Sequence, residues 1–256
     1  MIKQISIVNR SGHTLRGILN LPDCYVLDTT VKVPVVINLH GFGGNKSGYK
    51  NIHTQQARML EANGIACVRF DFYGNGESDG EFSDMTFTGL LEDTEDIYNW
   101  VMEQEFTDKT QVILAGHSMG GYVASTMAPK LQPAKLILQA PGAAMWIGGL
   151  ERALAMEEKG VFFADVEGLR FSTTFNKTMH PYEPFEAAKG YEGPVLLVKG
   201  SADQMVYAEI SDNYKAVYGE ACKEVIIEGG NHNFASIPTR EACMNAILDF
   251  VLCSAR

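Results

Sequence analysis

Val112-Ile113-Leu114-Ala115-Gly116-His117-Ser118-Met119-Gly120-Gly121-Tyr122-Val123-Ala124 is the stretch that decides the fold. An apolar run with β-branched residues stops at a glycine. A serine between small residues follows, and then a helix-forming stretch begins. This is G-x-S-x-G between a strand and a helix, the pattern of a nucleophile elbow. The spacing has a chemical reason. The serine must stand on a sharp, strained turn so that its hydroxyl projects from the sheet edge, and Gly116 and Gly120 let the flanking backbones approach closely. The N-terminus of the following helix points at the serine and favours negative charge developing there. An ordinary tight turn can carry the same letters, so the reading depends on what flanks it.

Outward from the elbow, strands and helices alternate. Towards the N-terminus, residues 2–8 and 13–21 read as an antiparallel pair turned by Asn9-Arg10-Ser11-Gly12. Val33 to Leu39 is a strand dense in β-branched residues and suited to burial. It runs into His40-Gly41-Phe42-Gly43-Gly44. A helix over 46–63, a strand over 65–70 and a helix over 88–105 follow. Beyond the elbow, strands are expected at 134–139, 194–200 and 223–227, with helices at 207–218 and 239–253. This alternation predicts an α/β fold: a mostly parallel eight-stranded sheet, right-handed crossovers and helices on both faces.

Residues 141–190 break the rhythm. They separate two strands by far more than a normal crossover and are rich in aromatics, with Trp146, Phe162, Phe163, Phe171, Phe175, Tyr182 and Phe185. Structureless loops of that length inside a compact domain are commonly functional. The expected organisation is therefore a core of residues 1–140 and 191–256 with an inserted lid or cap subdomain over 141–190. The plainer alternative is a small helical subdomain that packs only its own core.

The chain has 256 residues, within reach of one large domain, and 46% are hydrophobic, enough for a sizeable core. Its formal charge is −10 and no Lys/Arg block appears, which argues against nucleic acid as a partner. Five cysteines without a C-x-x-C pair read as free thiols in a reducing compartment. No signal-peptide pattern is visible at Met1–Ile7, and no apolar run reaches the ~18 residues of a membrane span. A cytoplasmic protein without a membrane span is the expectation.

A nucleophilic serine needs a base and an orienting carboxylate. His232 lies just after the last strand in Glu228-Gly229-Gly230-Asn231-His232-Asn233-Phe234, where glycines let a loop carry the imidazole over the sheet edge. Asp203 follows a strand in Gly200-Ser201-Ala202-Asp203. The order Ser118, Asp203, His232 is that of α/β-hydrolases. The other histidines have weaker claims. His13 lies in the opening hairpin, His53 reads as an exposed mid-helix residue, and His180 precedes Pro181. His117 reads as structural and His40 as a brace for its loop. Asp71 and Asp79 read as turn residues. The tetrahedral oxyanion needs donors, and the backbone N–H groups of Met119 and Phe42 are the candidates.

The chain resembles the α/β-hydrolase superfamily over essentially its whole length. Within it, it is similar to the bacterial feruloyl (cinnamoyl) esterases. The resemblance is carried by His40-Gly41-Phe42 with Gly44-Asn45-Lys46, Arg69-Phe70-Asp71-Phe72-Tyr73-Gly74, Gly76 with Ser78-Asp79-Gly80, Gly116-His117-Ser118 with Gly120-Gly121, and Gly193-Pro194-Val195-Leu196-Leu197. In that family a lid inserted between the sixth and seventh strands forms part of the phenolic-acyl pocket. The resemblance implies a serine esterase that uses no metal or organic cofactor and acts on a small-molecule ester, with room for a homodimer. Trp146, Phe162 and Phe163 are then candidates to contact substrate. Rival expectations are a monoacylglycerol lipase or thioesterase, a prolyl-oligopeptidase-type peptidase, for which the chain has no propeller domain, and a non-catalytic binding module on the same fold.

Overall fold

The computed structural model describes residues 1–253. Strands β1 (Ile2–Val8) and β2 (Thr14–Asn20) form the opening hairpin. Its turn is fixed by the Asn9 side chain, whose Oδ1 accepts the N–H groups of Ser11 and His13. A short helix α1 (Asp23–Leu27), which the sequence pattern did not announce, leads to β3 (Val33–Leu39). Helix α2 (Ile52–Ala62), β4 (Ala66–Phe70) and α3 (Phe87–Glu103) follow, then β5 (Thr107–His117), α4 (Met119–Leu131) and β6 (Lys135–Gln139). After a long insertion come β9 (Val195–Gly200), α8 (Ala208–Tyr218), β10 (Cys222–Ile227) and α9 (Ile237–Leu252).

The eight strands outside the insertion form one sheet in the order β1-β2-β4-β3-β5-β6-β9-β10. Only the β1–β2 and β2–β4 pairings are antiparallel. Every residue of β4 and β9 is buried, as expected for strands covered on both faces. Chain order reverses at β3: β4 lies to one side of it and β5 to the other. Right-handed crossovers leaving in opposite directions put helices on opposite faces. Accordingly α2 packs with α9, and α3 with α4. The crevice outside the strand ends at such a reversal is where open α/β sheets bind ligands.

The helix expected over 46–63 starts only at Ile52. Lys50 and Asn51 adopt left-handed φ of 47° and 64°, which a continuing helix does not allow. His53, expected to be exposed, is fully buried. It belongs to the inward stripe His53, Gln56, Ala57 and Leu60, spaced i, i+3, i+4, i+7. A histidine read as polar hides that stripe in the sequence.

The insertion is mixed rather than purely helical. It holds α5 (Gly149–Glu157), the hairpin β7 (Phe163–Val166) and β8 (Leu169–Ser172), α6 (Thr173–Met179) and α7 (Pro184–Ala187). It docks on the core through Phe175, which is fully buried against Phe87 of α3, and through α7 against α4. Cys67 and Cys243 lie in the core, where burial pushes both thiols up to about 12. Among the described residues no helix is long and apolar enough to cross a membrane.

Candidate active site

The last residues of adjacent strands lie level across the sheet. Leu39 of β3 pairs with Gly116 of β5, His117 with Gln139 of β6, Gln139 with Val198 of β9, and Gly200 with Ile227 of β10. The loops leaving these ends therefore converge on one place.

Ser118 sits between β5 and α4 at φ 54°, ψ −121°. A non-glycine residue there carries strain of roughly 1–3 kcal/mol, which the surroundings must hold. They do so by contact. A Cβ on Gly116 would lie 2.0 Å from the Gly120 carbonyl oxygen, and one on Gly120 would lie 2.3 Å from that of Leu39. Only glycine fits at both, so the elbow closes against β3. The Ser118 N–H donates to the Gln139 carbonyl at 2.9 Å, and its own carbonyl accepts from Gly121 and Gly142.

Ser118 Oγ is 2.9 Å from His232 Nε2, and His232 Nδ1 is 3.0 Å from Asp203 Oδ2. Asp203 spends its other oxygen on the N–H groups of Met205 and Val206, at 2.8 and 3.0 Å, which aims Oδ2 at the imidazole. Burial alone would raise the Asp203 carboxyl, but the hydrogen bond and charge of His232 and these two N–H groups hold it below the usual range. The His232 loop is pinned at both sides. Asn231 Oδ1 accepts the Ala235 N–H at 3.0 Å, and the Phe234 ring is fully buried.

His117 donates from Nε2 to the His232 carbonyl at 2.9 Å and so braces the loop that carries the imidazole. His40 fulfils the bracing role read for it. Its Nδ1 donates to the Gly41 carbonyl at 2.9 Å while Nε2 accepts the Phe72 N–H at 3.2 Å, which fixes one neutral tautomer. Asp71 is more than a turn residue: it is fully buried, pairs with Lys46 and accepts the Glu77 N–H, tying the loop after β3 to the loop after β4.

The turn after β3 passes over the serine, since a Cβ on Gly41 would lie 3.3 Å from Ser118 Cβ. This brings Phe42 beside the Met119 end of α4. Among the described residues the N–H groups of Phe42 and Met119 have no acceptor within the protein. Gly142 keeps the approach open: a Cβ there would lie 2.9 Å from the Met119 nitrogen.

A cavity of about 410 Å³ opens at this point, with Ser118 and His232 in its wall. Its other walls are mostly apolar. Phe42 and Val206 come from the core, and Met145, Val166 and Phe171 from the insertion. Trp146, Phe162 and Phe163, the expected substrate contacts, are not among the lining residues. Phe162 and Phe163 are about half exposed, Phe163 against the Arg170 guanidinium, and Trp146 stacks on His180 and donates to its carbonyl. The aromatic ring that the segment 141–190 places in the cavity wall is Phe171. The alternation of β8 carries the signal: Leu169 and Phe171 share one face of a short hairpin, and Phe171 meets Phe42 at 4.8 Å between ring centroids.

Three buried histidines lie behind the site. Burial lowers His40 and, further, His53, while burial and the neighbouring His232 bring His117 down to about 4. Neither ring nitrogen of His53 meets a hydrogen-bond partner in the protein. Below the ordinary histidine value of about 6.5 the unfolded chain binds protons that these rings refuse. Stability is therefore full above about pH 6.5 and falls as pH drops from there to about 4. Thermal melts between pH 7.5 and 4.5 should show Tm falling through this window, and His53→Leu should flatten the fall. A wild-type Tm constant across that range would contradict it.

A family model described as serine aminopeptidase, S33 (Hydrolase_4) matches residues 32–164. An uncharacterized 31.7 kDa protein from the traX-finO intergenic region of Escherichia coli is 27% identical over 255 residues, covering 80% of this chain and 88% of its own length. An uncharacterized protein of Mycobacterium tuberculosis is 25% identical over 218 residues, covering 85% and 69%. Among solved structures, Est1E from Butyrivibrio proteoclasticus with ferulic acid bound superposes with a TM-score of 0.83 at 25% identity, covering 97% of this chain and 98% of that one.

Proposed function

The chain belongs to the serine aminopeptidase S33 (Hydrolase_4) family of α/β-hydrolases, and from that premise we propose that it is a serine carboxylesterase working through Ser118, His232 and Asp203. The observation that carries this reading is the continuous hydrogen-bonded line Asp203–His232–Ser118 at the wall of an apolar cavity. Ser118 Oγ attacks the ester carbonyl while His232 Nε2 takes its proton. Asp203 holds the imidazole in the tautomer that can do so and stabilises the imidazolium. The N–H groups of Phe42 and Met119 receive the oxyanion. The alcohol leaves with the proton from His232, and water then hydrolyses the acyl-enzyme by the same route.

The family description includes aminopeptidase chemistry. An aminopeptidase must bind the ammonium group of its substrate, and an acidic side chain in the pocket is the usual means. The cavity lining includes no carboxylate, and its formally charged side chain is Arg152. This favours an ester over a peptide with a free amino terminus.

For the acyl group we favour a hydroxycinnamate. Phe42 and Phe171 offer ring faces and edges beside Ser118, and aromatic contacts add roughly 0.5–1.5 kcal/mol beyond burial. The likeness to Est1E, solved with ferulic acid, supports the same choice. In this reading the segment 141–190 acts as a lid that walls the acyl pocket. The test is kcat/KM on methyl ferulate, methyl caffeate, 4-nitrophenyl butyrate, a monoacylglycerol and alanine 4-nitroanilide. A hydroxycinnamate preference of about tenfold or more, or 1.4 kcal/mol, is expected. A preference for the glyceride would move the enzyme to the lipases, and one for the anilide to the peptidases.

A further inference from the structure

Arg152 lies on α5, in the wall of the same cavity as Ser118 and His232. Each of its surroundings bears on what it is there for. Arg152 is exposed at the cavity mouth; its Nη1 donates to the Ile147 carbonyl at 2.9 Å, and its other guanidinium donors make no hydrogen bond within the protein among the described residues. Gly148, at φ 64°, leaves the room: a Cβ there would lie 2.9 Å from Arg152 Nη1. No acidic side chain pairs with Arg152 among the described residues, although the chain carries ten more acidic than basic groups. Arg10 and Arg16 are held by carboxylates, whereas Arg69 and Arg240 are held by carbonyl and hydroxyl oxygens and Arg170 lies over the Phe163 ring; of the described arginines without a carboxylate partner, Arg152 is the one in the wall of this cavity.

A second polar group stands beside it. Asn176 of α6 also lines the cavity, and its side-chain amide makes no hydrogen bond within the protein among the described residues. It lies against the start of α5, where a Cβ on Gly149 would be 3.6 Å from Asn176 Oδ1. The cavity thus has an apolar body, the serine on one wall, and a guanidinium and a free amide supplied by α5 and α6. In an apolar site a few convergent polar groups fix the orientation and identity of the ligand. A planar guanidinium with unspent donors matches a carboxylate or a phosphate, and an amide NH₂ can complete the set.

We infer that Arg152, with Asn176, selects esters that carry an anionic group, a carboxylate or phosphate, at the end remote from the scissile bond. The inference rests on Ser118 being the nucleophile of an ester hydrolase. The net charge of −10 repels anions at long range, so a local cation is what admits such a substrate. Whether the anion lies on the acyl or the alcohol side is read by two pairs of probes. Mono-4-nitrophenyl glutarate against 4-nitrophenyl butyrate places a carboxylate on the acyl side. The butyrate ester of 4-hydroxybenzoate against phenyl butyrate places it on the alcohol side.

The readout is the ratio of kcat/KM, anionic over neutral, within each pair. In at least one pair the wild-type ratio should exceed one and decline with added salt. Arg152→Gln should lower that ratio about tenfold, mostly through KM, and Arg152→Glu further, while Arg152→Lys retains part of it. A purely structural role for Arg152 would change both members of a pair alike and leave the ratio fixed. Wild-type ratios at or below one in both pairs, or a ratio unmoved by Arg152→Glu, overturn the inference while leaving the esterase intact. Failure of Ser118 to label with a fluorophosphonate would instead remove the esterase reading, and this inference with it.

Discussion

Ser118→Ala should lower kcat on any ester substrate by about 10⁴- to 10⁶-fold with little change in substrate binding. The hydroxyl is the bond-forming atom of the proposed mechanism, and among the described residues no other nucleophile stands in hydrogen-bond reach of His232 Nε2. The variant should fold. The N–H and carbonyl bonds of residue 118 to Gln139, Gly121 and Gly142 are all main-chain, so removing the hydroxyl leaves the elbow tied as before. The backbone strain at φ 54° is as tolerable for alanine as for serine. Active-site titration with a fluorophosphonate, beside steady-state rates and circular dichroism, checks this. Undiminished turnover in a clean, folded preparation would sink the nucleophile assignment.

Asp203→Asn comes next in size, with an expected loss of about 10⁴ in kcat and a near-normal KM. The substitution keeps an acceptor for the Met205 and Val206 N–H groups, so the loop stays in place. What changes is the group facing His232 Nδ1 across 3.0 Å. An amide NH₂ presented there donates, and the imidazole then carries its proton on Nε2. That nitrogen can no longer take the proton of Ser118, even though the geometry is kept. The pre-steady-state burst with a 4-nitrophenyl ester should vanish. A variant that retains the burst would show that Asp203 positions nothing of consequence for proton transfer.

The parts of the molecule that were legible in the sequence share a physical property: each is dictated locally. The strands over Val33–Leu39 and Val195–Gly200 carry their own β-branched runs, and the elbow carries its own glycines. Ser118, Asp203 and His232 were legible because each follows a strand at the same edge of a parallel sheet. Alternation of strand and helix alone brings such residues together. The illegible parts depend on partners distant in sequence. His53 is inside because its face of α2 packs towards the sheet, where its ring meets that of His117, a partner far along the sequence. The insertion has no sheet to register against, so which of its seven aromatics face the cavity depends on where its hairpin docks. Phe171 faces in, against Phe42, while Phe163, on the opposite strand of the hairpin, faces out towards Arg170. Arg152 and Gly142 belong to the same group, since their meaning lies in what they stand next to.

The hydrogen bond from the Gly142 N–H to the Ser118 carbonyl, 2.7 Å long, joins the first turn of the insertion to the proposed nucleophile. The root of the segment is thus part of the elbow. Under the proposed function, this divides the molecule into a fixed hinge stone and an exchangeable awning. Substitutions, shuffling or drift beyond residue 146 can change which molecules are sheltered without disturbing how they are cut. New specificity can be acquired on this scaffold without rebuilding its catalyst.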